Sequence, residues 1–240
     1  MASVLIALSA ALAVAVELLE AMAIVVAVGA TRRWRDALIG AAGGAIACVL
    51  LAAILGPALT QLDLKTLQLV IGTLLLLYGL EWLRKNTLRL AGRRARASSV
   101  AEYDETVDEL ADDPMPPEGS PDWAGRVVAF KGVLLEGAEI VVIVAALASR
   151  PAGAAPAIIG ALAAGIVVIS LGVWLRRPLE RIPETELKWG VGVILSSFGL
   201  FFTGEGLGVA WPGGDAALIG LVLILAGVSE FEVRRLKAAA

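Results

Sequence analysis

Two short stretches carry the residues with chemistry to do. Residues 16–20 read VELLE and residues 135–139 read LEGAE, so Glu17 is followed by Glu20, and Glu136 by Glu139, three positions on. In a helix that spacing turns both carboxylates of a pair to one face. Each pair lies inside a long apolar run, where an ionised acid is most costly. At the centre of a bilayer one such residue costs roughly 2.5–3.5 kcal/mol on insertion scales, so four cost on the order of 10 kcal/mol. A single buried acid is often protonated and hydrogen-bonded to a neighbouring helix, serving only packing. Two matched pairs fit that account poorly and point to a bound cation.

The donor set bounds the cation. The chain has no histidine and one cysteine, Cys48, which sits in an apolar stretch and reads as a small buried hydrophobe. Imidazole ligands, histidine proton relays, Ser-His-Asp hydrolysis and intramolecular disulfides are therefore excluded. Up to eight carboxylate oxygens around one cavity suit hard cations such as Ca²⁺, Mg²⁺, Mn²⁺ or iron, with Fe³⁺ the hardest. Metal entry into such a cluster competes with protons, so coupling to proton movement is expected.

The elements that position these acids follow from hydropathy. Of the 240 residues 58% are hydrophobic and 18% charged, with mean hydropathy +0.83. Seven apolar stretches of about 20 residues lie near 4–29, 36–56, 65–83, 125–148, 153–175, 187–208 and 215–233. Helices are the economical way to cross lipid, and the unalternating Leu, Ala, Val, Gly mixture argues against a β-barrel. The fold class expected is all-α: a polytopic protein of seven transmembrane helices. Glu17 and Glu20 fall about 13 and 16 residues into the first span, and Glu136 and Glu139 about 11 and 14 into the fourth, near the bilayer centre.

Charge gives the direction. Of 20 lysines and arginines, all but Lys65 and Arg150 fall in the segments that alternate onto one side, from Arg32, Arg33 and Arg35 to Arg234, Arg235 and Lys237. The expected topology is N-terminus outside and C-terminus cytoplasmic, in a bacterial inner (plasma) membrane. The first stretch has acids and no basic flank, and reads as a retained span and not a cleaved signal.

An internal repeat is expected from an offset near 120 residues. Glu17 and Glu20 match Glu136 and Glu139 at 119; Gly40 matches Gly160, Gly72 matches Gly192, and YGL at 78–80 matches FGL at 198–200, all at 120. Three spans per unit reverse the second copy, which makes an inverted repeat with its site near the midplane. The expected organisation is a first three-helix repeat over 1–95, an acidic cytoplasmic linker over 96–123, the inverted repeat over 124–212, and a seventh helix with a cytoplasmic tail over 213–240.

Polar residues of the third spans are candidate helpers: Thr73, Tyr78 and Glu81, with Ser196, Ser197 and Thr203. Their hydroxyls could complete a coordination shell or simply bond helices together. Glu205 and Asp215 flank a loop at Pro212-Gly213-Gly214 and could draw cations to an outer mouth. Residues 98–122 hold nine acids and no base, with Val100, Tyr103, Val107 and Leu110 at helical spacing. A short amphipathic helix followed by a Pro-rich stretch is expected there, either a plain solvated linker or a cation collector.

On these residues the chain resembles the oxidase-dependent iron permeases, the Ftr-type family with its bacterial ferrous-uptake relatives. That family has seven spans, an outside N-terminus and a REXXE motif in spans 1 and 4, where VELLE and LEGAE stand here. YGLEWLRKN at 78–86 and GEGLG at 204–208 are similar to its aromatic exit from span 3 and its glycine-rich span 6. The family's arginine is replaced by Val16 and Leu135, which makes the site more negative and leaves the metal open. Lys131 could partly compensate, its other reading being a lipid-facing snorkeller. A more distant likeness is to the lysine-exporter superfamily and the Golgi-type manganese/calcium transporters, whose E-x-G-D-K/R-T/S motif is absent, Ala21 and Met22 standing for its basic and hydroxyl residues.

The resemblance implies a metal-cation transporter with Glu17, Glu20, Glu136 and Glu139 as ligands, and the metal as substrate. Alternatives are a manganese or calcium/proton exchanger of the lysine-exporter type, and a non-transporting scaffold or metal sensor. Expected partners are the lipid bilayer and metal ions, with an oxidase or accessory subunit and a homo-oligomer as further options. No prosthetic group, nucleotide loop, nucleophile with a base or nucleic-acid surface is indicated, so an enzyme is not expected.

Overall fold

The computed structural model describes residues 2–96, 99–111, 113–117, 119–149, 152–174 and 184–239. Arg150, Arg176, Arg177 and Arg181, which entered the charge count above, lie outside the described residues. Eight α-helices are present among those described, and no strand: α1 (Ala2–Thr31), α2 (Trp34–Thr60), α3 (Leu64–Leu90), α4 (Ser99–Ala111), α5 (Trp123–Ala148), α6 (Ala154–Trp174), α7 (Glu184–Gly206) and α8 (Ala217–Ala238). Seven of them overlie the seven apolar stretches. Five (α1, α2, α3, α7 and α8) are long and apolar enough to cross a membrane. α5 carries Glu136 and Glu139 within its length, and the apolar part of α6 runs over Ala154–Ser170. Large apolar side chains cover the outside, among them Val49, Ile54, Ile166 and Leu223. Such a surface suits hydrocarbon and not water.

Helix ends obey local chemistry. Asp63 caps α3, its carboxylate accepting from the Thr66 amide at 3.0 Å, and this bond holds the Asp63 carboxyl below its ordinary value. α3 stops where Gly92 takes a left-handed φ of 76°. The Gly92 and Arg93 amides then donate back to Arg89 and Leu88 carbonyls at 3.1 and 2.9 Å, closing the last turn.

Glycines set the closest helix crossings. A methyl group at Gly72 would overlap the Thr203 backbone, and one at Gly192 the Leu83 backbone. Gly79 meets Ser196 in the same way, and Gly199 meets Leu76. α3 and α7 thus lie backbone against backbone, which only small residues permit. The partners in these contacts are displaced by 120 positions: 72 with 192, 83 with 203, 79 with 199, 76 with 196. The outer crossings follow suit, Gly40 of α2 resting on the Arg126 carbonyl of α5, and Gly160 of α6 on the Ala7 carbonyl of α1. α8 is fastened at a buried polar knot, where Ser229 Oγ lies 2.8 Å from Thr87 Oγ1 and accepts from Trp189 Nε1 at 2.7 Å.

The acidic linker differs from a plain solvated tether. α4 packs on α1 and α5, with Thr106 and Leu110 buried. The turn between α1 and α2 holds it there. Arg32 donates from Nε and Nη2 to both Asp122 oxygens, at 2.8 and 3.0 Å, and from Nη1 to the Asp113 carbonyl at 2.7 Å. Arg33 donates to the Ser120, Pro116 and Pro117 carbonyls at 2.7, 2.8 and 3.0 Å. Residues that read as topology markers are therefore structural clasps. Asp122 also caps α5 through the Gly125 amide.

Candidate metal centre

Three carboxylates converge where α1 crosses α5. One oxygen each from Glu17, Glu20 and Glu136 lies within 4.8 Å of the others. Two oxygens held at ~2.3–2.6 Å from one ion lie at most about 5 Å apart, so this spread is within reach of a shared hard cation. The EXXE spacing places Glu17 and Glu20 on the α1 face that meets α5. Gly132 makes the approach possible, since a methyl group there would strike Ile24 of α1. On the other side of α5, Gly137 accommodates the Cys48 sulfur of α2, fixing the helix at the level of Glu136.

Glu17 is fully buried; no N–H or hydroxyl among the described residues donates to its oxygens, and its polar neighbours are the carboxyl groups of Glu136 and Glu139. A buried acid whose polar neighbours are other acids is expensive unless a cation or shared protons neutralise the group. Glu139 stands beside Glu17 across the same crossing, outside the tight group of three. The four predicted acids are thus neighbours, three closely grouped and the fourth alongside.

A residue outside the sequence expectation completes the site. Lys188, in the first turns of α7, donates to Glu20 Oε1 in a largely buried ion pair. Its ammonium also lies 5.6 Å from the centre of the Trp82 ring of α3. The sequence places Lys188 at a span edge among the inside-positive charges, and no local motif ties it to Glu20. Lys131, read either as a partial countercharge or as an outward snorkeller, is exposed with its ammonium 4.0 Å from Glu109 of α4. Its long stem reaches outward along the linker helix, so the countercharge at the cluster comes from Lys188 instead.

The candidate helpers separate. Thr73 is exposed, and Glu81 pairs at the surface with Lys85 at 3.1 Å and Arg84 at 3.3 Å, so neither reaches the cluster. Ser197 donates back to the Val193 carbonyl at 2.7 Å, within its own helix. Tyr78 Oη, Ser196 Oγ and Thr203 Oγ1 are buried without hydrogen-bond partners. Glu205 accepts from Gln68 Nε2 at 2.9 Å and, with Ser149, lines a cavity of only about 20 Å³. Trp211 closes that end, stacking on Phe201 at 5.5 Å and donating to its carbonyl.

The opposite end is roomier. A cavity of about 150 Å³ lies between α1, α4 and α5, lined by Glu102, Glu105, Glu109, Lys131, Ile24 and Glu136. Burial and the facing charges of Glu20 and Glu136 push the Glu102 carboxyl above its ordinary value. The linker helix therefore turns acids toward the cluster.

No family model, no curated protein and no solved structure matches the chain.

Proposed function

We propose that the chain is a membrane transporter of a metal cation, similar to the iron permeases, with Glu17, Glu20, Glu136 and Glu139 as its ligands. The observation that carries this reading is the grouping of Glu17, Glu20 and Glu136 oxygens within 4.8 Å inside an apolar helical bundle. Among the described residues one ammonium, that of Lys188, faces these acids, and an oxygen-only donor set of this kind suits a hard cation.

In this reading seven helices cross the membrane, α1–α3 and α5–α7 forming two inverted three-helix repeats with α8 added. The glycine crossings support it, because their partners carry the same offsets of 119 and 120 as the acid pairs. Inverted repeats place an ion site where they meet, near the midplane. The two cavities, a narrow one by Glu205 and a wide one under α4, are what alternating access needs at either end. With α4 cytoplasmic, the wide end faces inward. A bacterial plasma membrane remains our assignment for the location.

The test is ion flux into liposomes containing the purified full-length chain, across Fe²⁺, Fe³⁺, Mn²⁺ and Ca²⁺, with and without a pH gradient. Transport of one of these ions, abolished in Glu17→Gln and in Glu136→Gln, supports the reading. A pH-driven preference for Mn²⁺ or Ca²⁺ assigns the exchanger instead of the iron permease. No flux, with both variants indistinguishable from wild type, leaves a scaffold with neutral acids.

A further inference from the structure

We propose that Lys188 is a tethered cation, seated on Glu20 while the site awaits its ion and displaced by the transported metal. The proposal rests on the metal-site reading above and adds to it the group that sets how strongly an ion must bind. It follows from geometry. Glu20 belongs to the group of three acids whose oxygens lie within 4.8 Å, so a metal shared by all three must take an oxygen of the Glu20 carboxylate. That carboxylate is already engaged at Oε1 by the Lys188 ammonium, in a pair whose side chains are 9% and 18% exposed. Two cations held on one buried carboxylate repel each other strongly.

Lys188 is built to yield. The α7 backbone that carries it is locked against α3 by Gly79, Gly192 and Gly199, so the flexible four-carbon stem is the part that moves. A second seat adjoins the first, the face of the Trp82 ring 5.6 Å from the ammonium. An ammonium is a compact point charge that exchanges between such partners more readily than a planar, bidentate guanidinium. Glu17 has no cationic partner among the described residues, its polar neighbours being the carboxyl groups of Glu136 and Glu139. The resting site is thus half filled by the chain's own charge, and a divalent ion outcompetes that charge where a monovalent ion does not.

Mn²⁺ binding to the purified full-length chain tests this, with free Mn²⁺ read by electron paramagnetic resonance. Lys188→Met should bind Mn²⁺ about tenfold tighter or more, because its competitor is gone. Lys188→Arg should bind no tighter than wild type, since the charge stays and its grip is firmer. Lys188→Gln, which keeps a donor toward Glu20, should also tighten binding and serves if the Met variant fails to fold. A mere structural brace gives the opposite order, weaker binding in Met and Gln and rescue by Arg, and that order overturns the proposal. Equal affinity in all four proteins overturns it too, with the metal site intact. Absence of Mn²⁺ binding in every protein, Glu17→Gln being no different, overturns the proposal together with the reading beneath it.

Discussion

Lys188 and Glu20 lie 168 residues apart in the chain and meet as an ion pair. The pair joins α7 to α1 beside the acid cluster, so the charge balance of the site depends on two distant segments. Glu17, its neighbour on α1, has no partner of this kind.

Replacing that buried acid should separate binding from folding. Glu17→Gln takes one acid out of a buried group of acids while keeping its shape, so the helical fold should persist with thermal stability equal to or above wild type. Metal affinity should fall by about 100-fold or more, beyond the 10–100-fold typical of losing a supporting group. Circular dichroism melts alongside Mn²⁺ binding check both halves. A destabilised variant with unchanged affinity contradicts the assignment.

The clasp at Arg32 should be costly to open. Arg32→Ala strands Asp122 as a buried unpaired charge, a loss of about 3–5 kcal/mol in comparable cases. Arg32 holds the Asp122 carboxyl below its ordinary value. A lowered folded pKa stabilises above the unfolded value, near 3.9. That contribution disappears as pH falls through the lower folded value. Melting temperature should thus decline in acid for wild type and less steeply for Asp122→Asn, in scans from neutral pH downward.

Glu102 should respond to pH with the opposite sign. Its carboxyl is pushed up by burial, then by Glu20, Glu136 and Glu105, with Lys188 partly offsetting them. A raised acid favours the folded state below its unfolded pKa and loses that stabilisation as pH rises through the folded one. Glu102→Gln should therefore tighten α4 docking at neutral pH, slowing amide exchange in residues 99–111. Exchange faster than wild type would contradict the geometry of that cavity.

The glycine crossings should fail in matched pairs. Gly72→Ala and Gly192→Ala both push a methyl group into facing backbone, and overpacking of this kind costs typically about 1–3 kcal/mol. Gly220→Ala, where nothing lies near, should cost almost nothing. Unfolding in detergent compares the three.

The sequence made the acids legible because their cost in lipid and their spacing of three are both local properties. Helix positions followed from apolar run length for the same reason. Lys188 was hidden because its partner is set by how α7 packs on α1 and α3, and a lysine beside a tryptophan at a span edge reads as an interfacial anchor. Lys131 carried two readings, a partial countercharge or an outward snorkeller: it lies five residues, or about 7.5 Å of helix rise, before Glu136, and packing turns its ammonium outward to Glu109. The linker was half legible. Val100, Tyr103, Val107 and Leu110 announced an amphipathic helix; its seat on α1, with Arg32 and Arg33 clasping carbonyls far along the chain, is set by tertiary packing.

Those two arginines have a consequence for chain continuity. Arg32 grips the backbone at Asp113, while Arg33 grips it at Pro116, Pro117 and Ser120. A break at Met115 would leave each severed end still tied to the same turn. The protein could then be made as two polypeptides that assemble when co-expressed, the peptide bond between them being unnecessary to the finished particle.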